Sequence, residues 1–304
     1  MESQNSPKII AIGGGKGGVG KSLISANIAI LFAHYGRKTV AFDADFGCSN
    51  LHTCLGMGRP ERSLADFVDR RVASLEETFV ASPYPNLNLV SAHVDTGTLT
   101  DMHHSTWDRI LKSMQRLPVD CVIIDLGAGS SREKIDIFLE IDQGIIVVTP
   151  EPTSVENAYS FLKNCIRRLT LQTFKNNVVV RRIVKEIFEN PKETFKTETL
   201  LRALWEFKPE FGRRLQEELT RISPLLIMNM VREESDRRVG QGLEDILRQY
   251  LLLNARFIGY LPYEAAIVRS VRESKPIVSM GENSLALKSL KHLVGQINFI
   301  NQNS

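Results

Sequence analysis

The sequence predicts an α/β fold: a mostly parallel β-sheet flanked by helices on both faces, in a single domain over residues 1–304. Three observations point there. Short apolar runs alternate with segments of helical periodicity along most of the chain. Most of those runs are continuous rather than alternating, as strands buried on both faces require. A glycine-rich loop joins the first apolar run to the first helical segment.

The first strand is expected over residues 9–12, and the helix after it places Ile24, Ile28, Leu31 and Tyr35 at helical spacing. Strands follow at 39–42 and 87–90, then a helix with Ile110, Met114 and Leu117, then strands at 121–124 and 144–148. Between 172 and 221 the rhythm breaks, and about 50 residues hold no central strand. They read as helices carrying Ile183, Ile187 and Phe188, then Leu200, Leu201, Leu204, Trp205 and Phe207, with Pro191 and Pro209 as breakers. This stretch is expected to be a helical insertion packed on the sheet edge. Its Lys175, Arg181, Arg182, Lys185, Arg213 and Arg214 are interleaved with glutamates, which predicts a solvated face rather than a nucleic-acid patch. Strands return at 225–228 and 257–258. A last helix carries a stripe of Leu287, Leu290, Val294 and Ile297, with Lys288, Lys291 and Gln296 off it. Two lysines attract anionic lipid by only roughly 1 kcal/mol each, so this helix is expected against the sheet, not on a membrane.

Composition narrows the classes. At 43% hydrophobic and 24% charged the chain is ordinary globular material, not a disordered or fibrous one. No apolar run approaches the ~18 residues of a membrane span, and the polar start MESQNSPK has no signal-peptide pattern. The four cysteines include no C-x-x-C pair, which argues against a disulfide framework, a zinc site or an iron–sulfur carrier and favours the cytoplasm. A net charge of +3 is too small to predict nucleic-acid binding. His103 and His104 are adjacent and diverge on a helix, and His34, His52, His93 and His292 lack ligand spacing. Cys48 and Cys54 read as buried small apolar residues.

The chemistry is concentrated in Gly13-Gly14-Gly15-Lys16-Gly17-Gly18-Val19-Gly20-Lys21-Ser22. From Gly15 to Ser22 this is G-x-x-x-x-G-K-[ST], placed between a strand and an amphipathic helix as a phosphate-binding loop must be. Gly15, Gly17, Gly18, Val19 and Gly20 turn backbone N–H groups inward around phosphate oxygens, and the following helix adds its positive end. Lys21 should bridge the β- and γ-phosphates, and the Ser22 hydroxyl should ligate Mg²⁺. The same residues satisfy G-x-G-x-x-G, and Asp43 or Asp45 could imitate a ribose-binding acid, but Lys21-Ser22 has no role in a dinucleotide fold. The strand ending in Asp125 supplies the Mg²⁺-side carboxylate, acting through a bridging water. ATP and Mg²⁺ are therefore the expected ligands.

Lys16 is a second lysine among the loop glycines. With it, the loop resembles the deviant Walker A family of MinD and ParA. The resemblance implies that Lys16 reaches across an ATP-dependent homodimer to the partner's phosphates. Asp43-Ala44-Asp45-Phe46-Gly47 with Asn50 resembles that family's first switch, where Asp45 matches the residue orienting the attacking water; Asp43 suits a turn-forming role better. Asp125-Leu126-Gly127-Ala128-Gly129 resembles the second switch in its FlhG-type form, and Thr149-Pro150-Glu151-Pro152-Thr153-Ser154 suggests the same branch. The resemblance also implies adenine contacts from Asn229 and from the loop at Pro262. It covers nearly the whole chain apart from the insertion. The tail before the first strand holds no activation motif of the kind FlhG proteins use on their GTPase partner.

Lys16, Lys21 and Asp45 are thus the expected catalytic residues of a slow, partner-stimulated ATP hydrolase. The expected function is a dimerisation switch that positions or counts a cellular structure, whether flagellum, pole, septum or a motility or chemosensory cluster, with a protein activator or effector. DNA or a membrane surface as partner has no clear signal. An ATP-dependent ligase would need an acceptor pocket, and no polar cluster suggests one. A nucleotide-loaded scaffold is at odds with the intact loop and switch residues.

Overall fold

The computed structural model of the protein describes residues 6–92, 104–190 and 194–302. His93, His103, Pro191 and the first five residues of the tail lie outside them. In chain order the elements are β1 (Lys8–Gly13), α1 (Lys21–His34), β2 (Thr39–Asp43), α2 (Leu51–Cys54), α3 (Leu64–Val68), β3 (Val80–Ala81), β4 (Leu87–Val90), α4 (His104–Met114), β5 (Cys121–Asp125), α5 (Arg132–Glu140) and β6 (Gln143–Val148). They continue with α6 (Pro152–Thr173), α7 (Val178–Phe188), α8 (Thr197–Phe207), α9 (Pro209–Leu219), β7 (Leu225–Val231), α10 (Glu234–Leu251), β8 (Arg256–Pro262), α11 (Ala265–Arg272) and α12 (Leu285–Gln302).

The sheet has eight strands in the order β3-β4-β2-β5-β1-β6-β7-β8. Every pairing is parallel except that of the two-residue edge strand β3 with β4, a strand too short to read from the sequence. The continuous apolar runs bury both faces, as expected. Ile9, Val122, Ile124 and Ile146 face a core completed by α4, α6 and α10, while their neighbours Ile10, Ile123 and Ile145 face one completed by α1 and α12. The almost wholly buried α1 packs against β1, β2, α2 and α12, and its buried Asn27 ties it to the segment before α12 by accepting from the Val278 N–H at 3.0 Å. Tyr35, expected on the buried face, caps the helix and is exposed. The stripe Leu287, Leu290, Val294 and Ile297 is buried, with α12 lying on β8 and α1.

Residues 178–219 form three helices whose main contacts are with α6 and α10, not with an edge strand as expected. The reason lies in the apolar residues. Val180, Val184, Leu200, Leu204 and Leu215 are buried in the α6–α10 core, so these helices make a second layer over it. Trp205 and Phe207, towards the end of α8, are exposed. Beneath the layer, buried Asp136 of α5 accepts from Arg168 Nε at 2.5 Å and from Gln172 at 3.0 Å, so α5 and α6 are tied across their interface.

Strand order positions the site. Central β1 lies between β5 and β6, and its pairing sets Ile12 against Asp125, while Asp43 of β2 is also set against Asp125. The glycine loop after β1 and the carboxylates ending β2 and β5 therefore meet at one end of the sheet, without any proximity in sequence.

Candidate nucleotide site

The loop after β1 needs its glycines at two kinds of position. Gly20 has φ +91°, and a Cβ there would lie 2.2 Å from the Asn229 amide nitrogen. Gly15 would bring its Cβ to 2.5 Å from the Asn157 carbonyl of α6. Left-handed backbone and close approach both exclude side chains here, which frees successive N–H groups to turn toward a ligand. Val19, by contrast, is buried as an apolar anchor, and its carbonyl accepts from Asn229 Nδ2 at 2.8 Å. The 14-residue α1 starts with no side-chain cap and no acidic residue in its first turn. Its orphan N–H groups are available to an anion.

The two lysines of the loop diverge. Lys21 is buried and donates from Nζ to the Lys16 carbonyl at 2.7 Å. Burial pulls its pKa down, and the nearby Asp125 charge opposes that shift. Lys16 extends along an exposed path and donates from Nζ to Thr153 Oγ1 at 2.9 Å, at the start of α6.

The carboxylates separate as clearly. Asp43 accepts from the Asp45 N–H at 2.9 Å, from Ser49 Oγ at 2.7 Å and from the Leu51 N–H at 3.1 Å. These bonds fold the loop after β2 around Asp43 and use both its oxygens, so it does not serve as a ribose-binding acid; burial and the Asp125 charge push its pKa up to about 7. Asp45 sits directly on the loop after β5. A Cβ on Gly127, whose φ is +63°, would lie 2.2 Å from the Asp45 carboxylate carbon.

Asp125 lies fully buried beneath both loops, hydrogen-bonded to the Ser22 hydroxyl and weakly to the Gly127 N–H at 3.4 Å. Its pKa is raised, mainly by burial. Asp125 Oδ2 has no hydrogen-bond partner. A buried carboxylate oxygen left open beside a serine hydroxyl is the donor set that Mg²⁺ accepts, with phosphates and waters completing its shell. Among the described residues no group of three or more His, Cys, Asp or Glu could hold a metal alone, so the fit is to a metal–phosphate complex.

A cavity of about 650 Å³ opens from this point. Gly18, Gly20, Lys21, Ser22, Asp45, Gly127, Asn229 and Pro262 all line it. Lys16, Gly15, Gly17, Val19 and Asp125 do not line it. The wall far from the phosphate loop is mainly apolar, from Ile267, Val268 and Val271, and carries Tyr263 and Arg272. Tyr263 is backed by the Arg232 guanidinium, 4.1 Å from its ring centre. Cys48 and Cys54 also line the cavity, and Cys48 is exposed, so the expectation of two buried cysteines is corrected: α2 begins too soon after the first switch loop to cover it. Burial pushes the Cys54 thiol up to about 12. Sequence reasoning named Thr153 only as part of the 149–154 motif, without its contact to Lys16, and missed Asn157, which packs on Gly15 from α6, and Lys134 of α5. Only proximity in space marks them.

A family model described as the CobQ/CobB/MinD/ParA nucleotide binding domain matches residues 10–277. Antiactivator FleN of Pseudomonas aeruginosa is 23% identical over 98% of this chain and 88% of its own length. The flagellum site-determining protein YlxH of Helicobacter pylori is 31% identical over 54% of this chain and 55% of its own length. Among solved structures, the septum site-determining protein MinD of Pyrococcus horikoshii, complexed with Mg-ADP, superimposes with a TM-score of 0.67 at 19% identity, covering 97% of each chain. MinD in the MinC:MinD complex of Aquifex aeolicus gives 0.63 at 21% identity over 96% of each. Among the described residues no helix is long and apolar enough to cross a membrane.

Proposed function

The chain belongs to the CobQ/CobB/MinD/ParA nucleotide-binding family, and from that premise we propose that it is a Mg²⁺-dependent ATPase acting as a dimerisation switch in flagellar, polar or septal positioning. The observation that carries this reading is the divergence of the two loop lysines. Lys21 lines the cavity, whereas the Lys16 amine lies outside its lining in an exposed hydrogen bond to Thr153, a position from which a second copy of the chain can be met.

The residues divide the work. The N–H groups of the loop and of the α1 start hold the phosphates, and Lys21 adds the countercharge. Ser22 and Asp125 hold Mg²⁺, which when bound neutralises charge on the phosphate oxygens. Asp45 orients the attacking water and, from its seat on Gly127, links both switch loops to the state of the nucleotide. Lys16 serves the partner's phosphates. Asn229 keeps one amide hydrogen for the adenine while the other braces Val19, and the loop at Pro262 closes over the base. The similarity to FleN and YlxH favours a role in flagellar number or placement, with the protein acting on a protein effector and recruited from the cytoplasm to a pole or membrane. Residues 178–219 serve as a helical insertion in a single domain, offering an added surface beside α6. A ligase on the same fold is not supported, since the relatives FleN, YlxH and MinD bear names of antiactivation or site determination rather than synthesis.

Light scattering with ATP, ADP and no nucleotide tests the switch. Wild-type protein should dimerise with ATP only, and Lys16→Ala should bind nucleotide yet stay monomeric. An ATP-dependent dimer of Lys16→Ala would remove the role in trans.

A further inference from the structure

Lys134 lies in the first turn of α5, just beyond the second switch loop. A cation there is opposed by the positive end of its own helix, and Lys134 is nonetheless mostly buried, at 14% side-chain exposure. Two groups offset that placement. Its Nζ donates to the Ala128 carbonyl in the second switch loop. The same Nζ stands 3.7 Å from Asp45 Oδ1 in the first switch loop, and that carboxylate is itself only 18% exposed. No other side chain in the described structure is in ion-pair contact with Asp45. Gly127, between the two loops, leaves room for the Asp45 carboxylate that any Cβ would close.

We propose that Lys134 is a positioning residue that ties the first switch loop to the second and fixes where the Asp45 carboxylate rests. The inference rests on the reading of Asp45 as the water-orienting group and extends it to the side chain that aims it. A carboxylate on a loop has free rotation about its side-chain bonds unless something holds it. One ammonium shared between Asp45 and a backbone carbonyl of the opposing loop removes that freedom, and makes the position of one loop depend on the other. Lys134 acts through Asp45, without touching the reacting atoms.

Steady-state ATP turnover of Lys134→Met, Lys134→Arg, Asp45→Ala and the Lys134→Met/Asp45→Ala double variant tests the tie. Lys134→Met should lower kcat roughly 10- to 100-fold, the scale of a misplaced catalytic group, with KM for ATP within about twofold. Lys134→Arg should restore much of it, and the methionine should cost nothing further once Asp45 is gone. Wild-type kcat in Lys134→Met, or an equal loss in the Asp45→Ala background, overturns the proposal. The contact is read separately by the Lys134 side-chain NMR signal, assigned by its loss in Lys134→Met. It should shift in Asp45→Ala, and an unmoved signal overturns the tie. Asp45→Ala with wild-type turnover but a shifted Lys134 signal would instead remove the water-orienting role and leave the tie between the loops standing.

Discussion

The phosphate-loop end of the sheet and the α7–α9 layer both hold lysines and arginines beside carboxylates, but under opposite physical conditions. In the layer, Arg182 pairs with Glu186 at 2.8 Å and Arg202 with Glu198 at 3.1 Å, each one helical turn apart with all four side chains well exposed. At the site, Lys21 is buried with a backbone carbonyl as its hydrogen-bond partner, and Asp125 is buried with one oxygen open. Solvent screens the first set, so each pair contributes little. In the second set, low dielectric magnifies every charge and leaves it costly until a ligand of matching charge arrives. The composition of a segment does not separate these cases. Burial does.

If that contrast is right, substitutions at the site should outweigh those in the exposed layer. Lys21→Ala should have the largest effect, taking ATP affinity down roughly 10³-fold or more, because the loop loses its preorganised countercharge. Equilibrium dialysis that finds unchanged affinity would remove the phosphate-cradle assignment. Next comes Asp45→Ala. The loop, Ser22 and Asp125 are untouched, so ATP should still bind while turnover falls ~10²–10⁴-fold. The ATP-bound dimer should then accumulate, and a variant that stays monomeric with ATP would contradict the switch.

Asp43 sharpens the contrast through pH. Its pKa is raised in the folded protein from 3.8 to about 7. Between those values the folded state keeps a proton that the unfolded state has lost, so stability falls as pH rises through this window and levels off above it. Each pH unit crossed changes stability by about 1.4 kcal/mol at most for one such group. Urea unfolding of Mg²⁺-free protein at pH 5, 6 and 8 should show this fall in wild type and a flatter profile in Asp43→Asn. Parallel profiles would mean that Asp43 is ionised throughout. The smallest effect belongs to Arg182→Ala in the layer, which should alter stability by less than about 0.5 kcal/mol. A loss several times larger would show that the exposed pairs are not the passive set described above.

How far each feature could be read follows from how local it is. The glycine loop, Lys21, Ser22 and the strand-end carboxylates are contiguous motifs, because a phosphate cradle is built from consecutive N–H groups and the helix that follows them. The central strands were equally plain, since burial on both faces demands unbroken apolar runs. The layer over residues 178–219 was recognisable as helices, but not as a second layer on α6 and α10. Periodicity states that a helix has an apolar face and is silent on what that face meets, and it does not show that apolar Trp205 and Phe207 are exposed.

By itself, then, the sequence determined the parallel sheet, the phosphate-loop chemistry and the family, all carried by residues within one strand, loop or helix. Tertiary structure alone decided which side chains complete the site. Asn229 reaches Val19 from 210 residues away, Lys16 meets Thr153 across 137, and Lys134 of α5 reaches Asp45 in the loop after β2. Those meetings depend on strand order, with β1 set between β5 and β6 and the ends of β2 and β5 brought side by side. Packing of both sheet faces selects that order, and no spacing of residues along the chain encodes it locally.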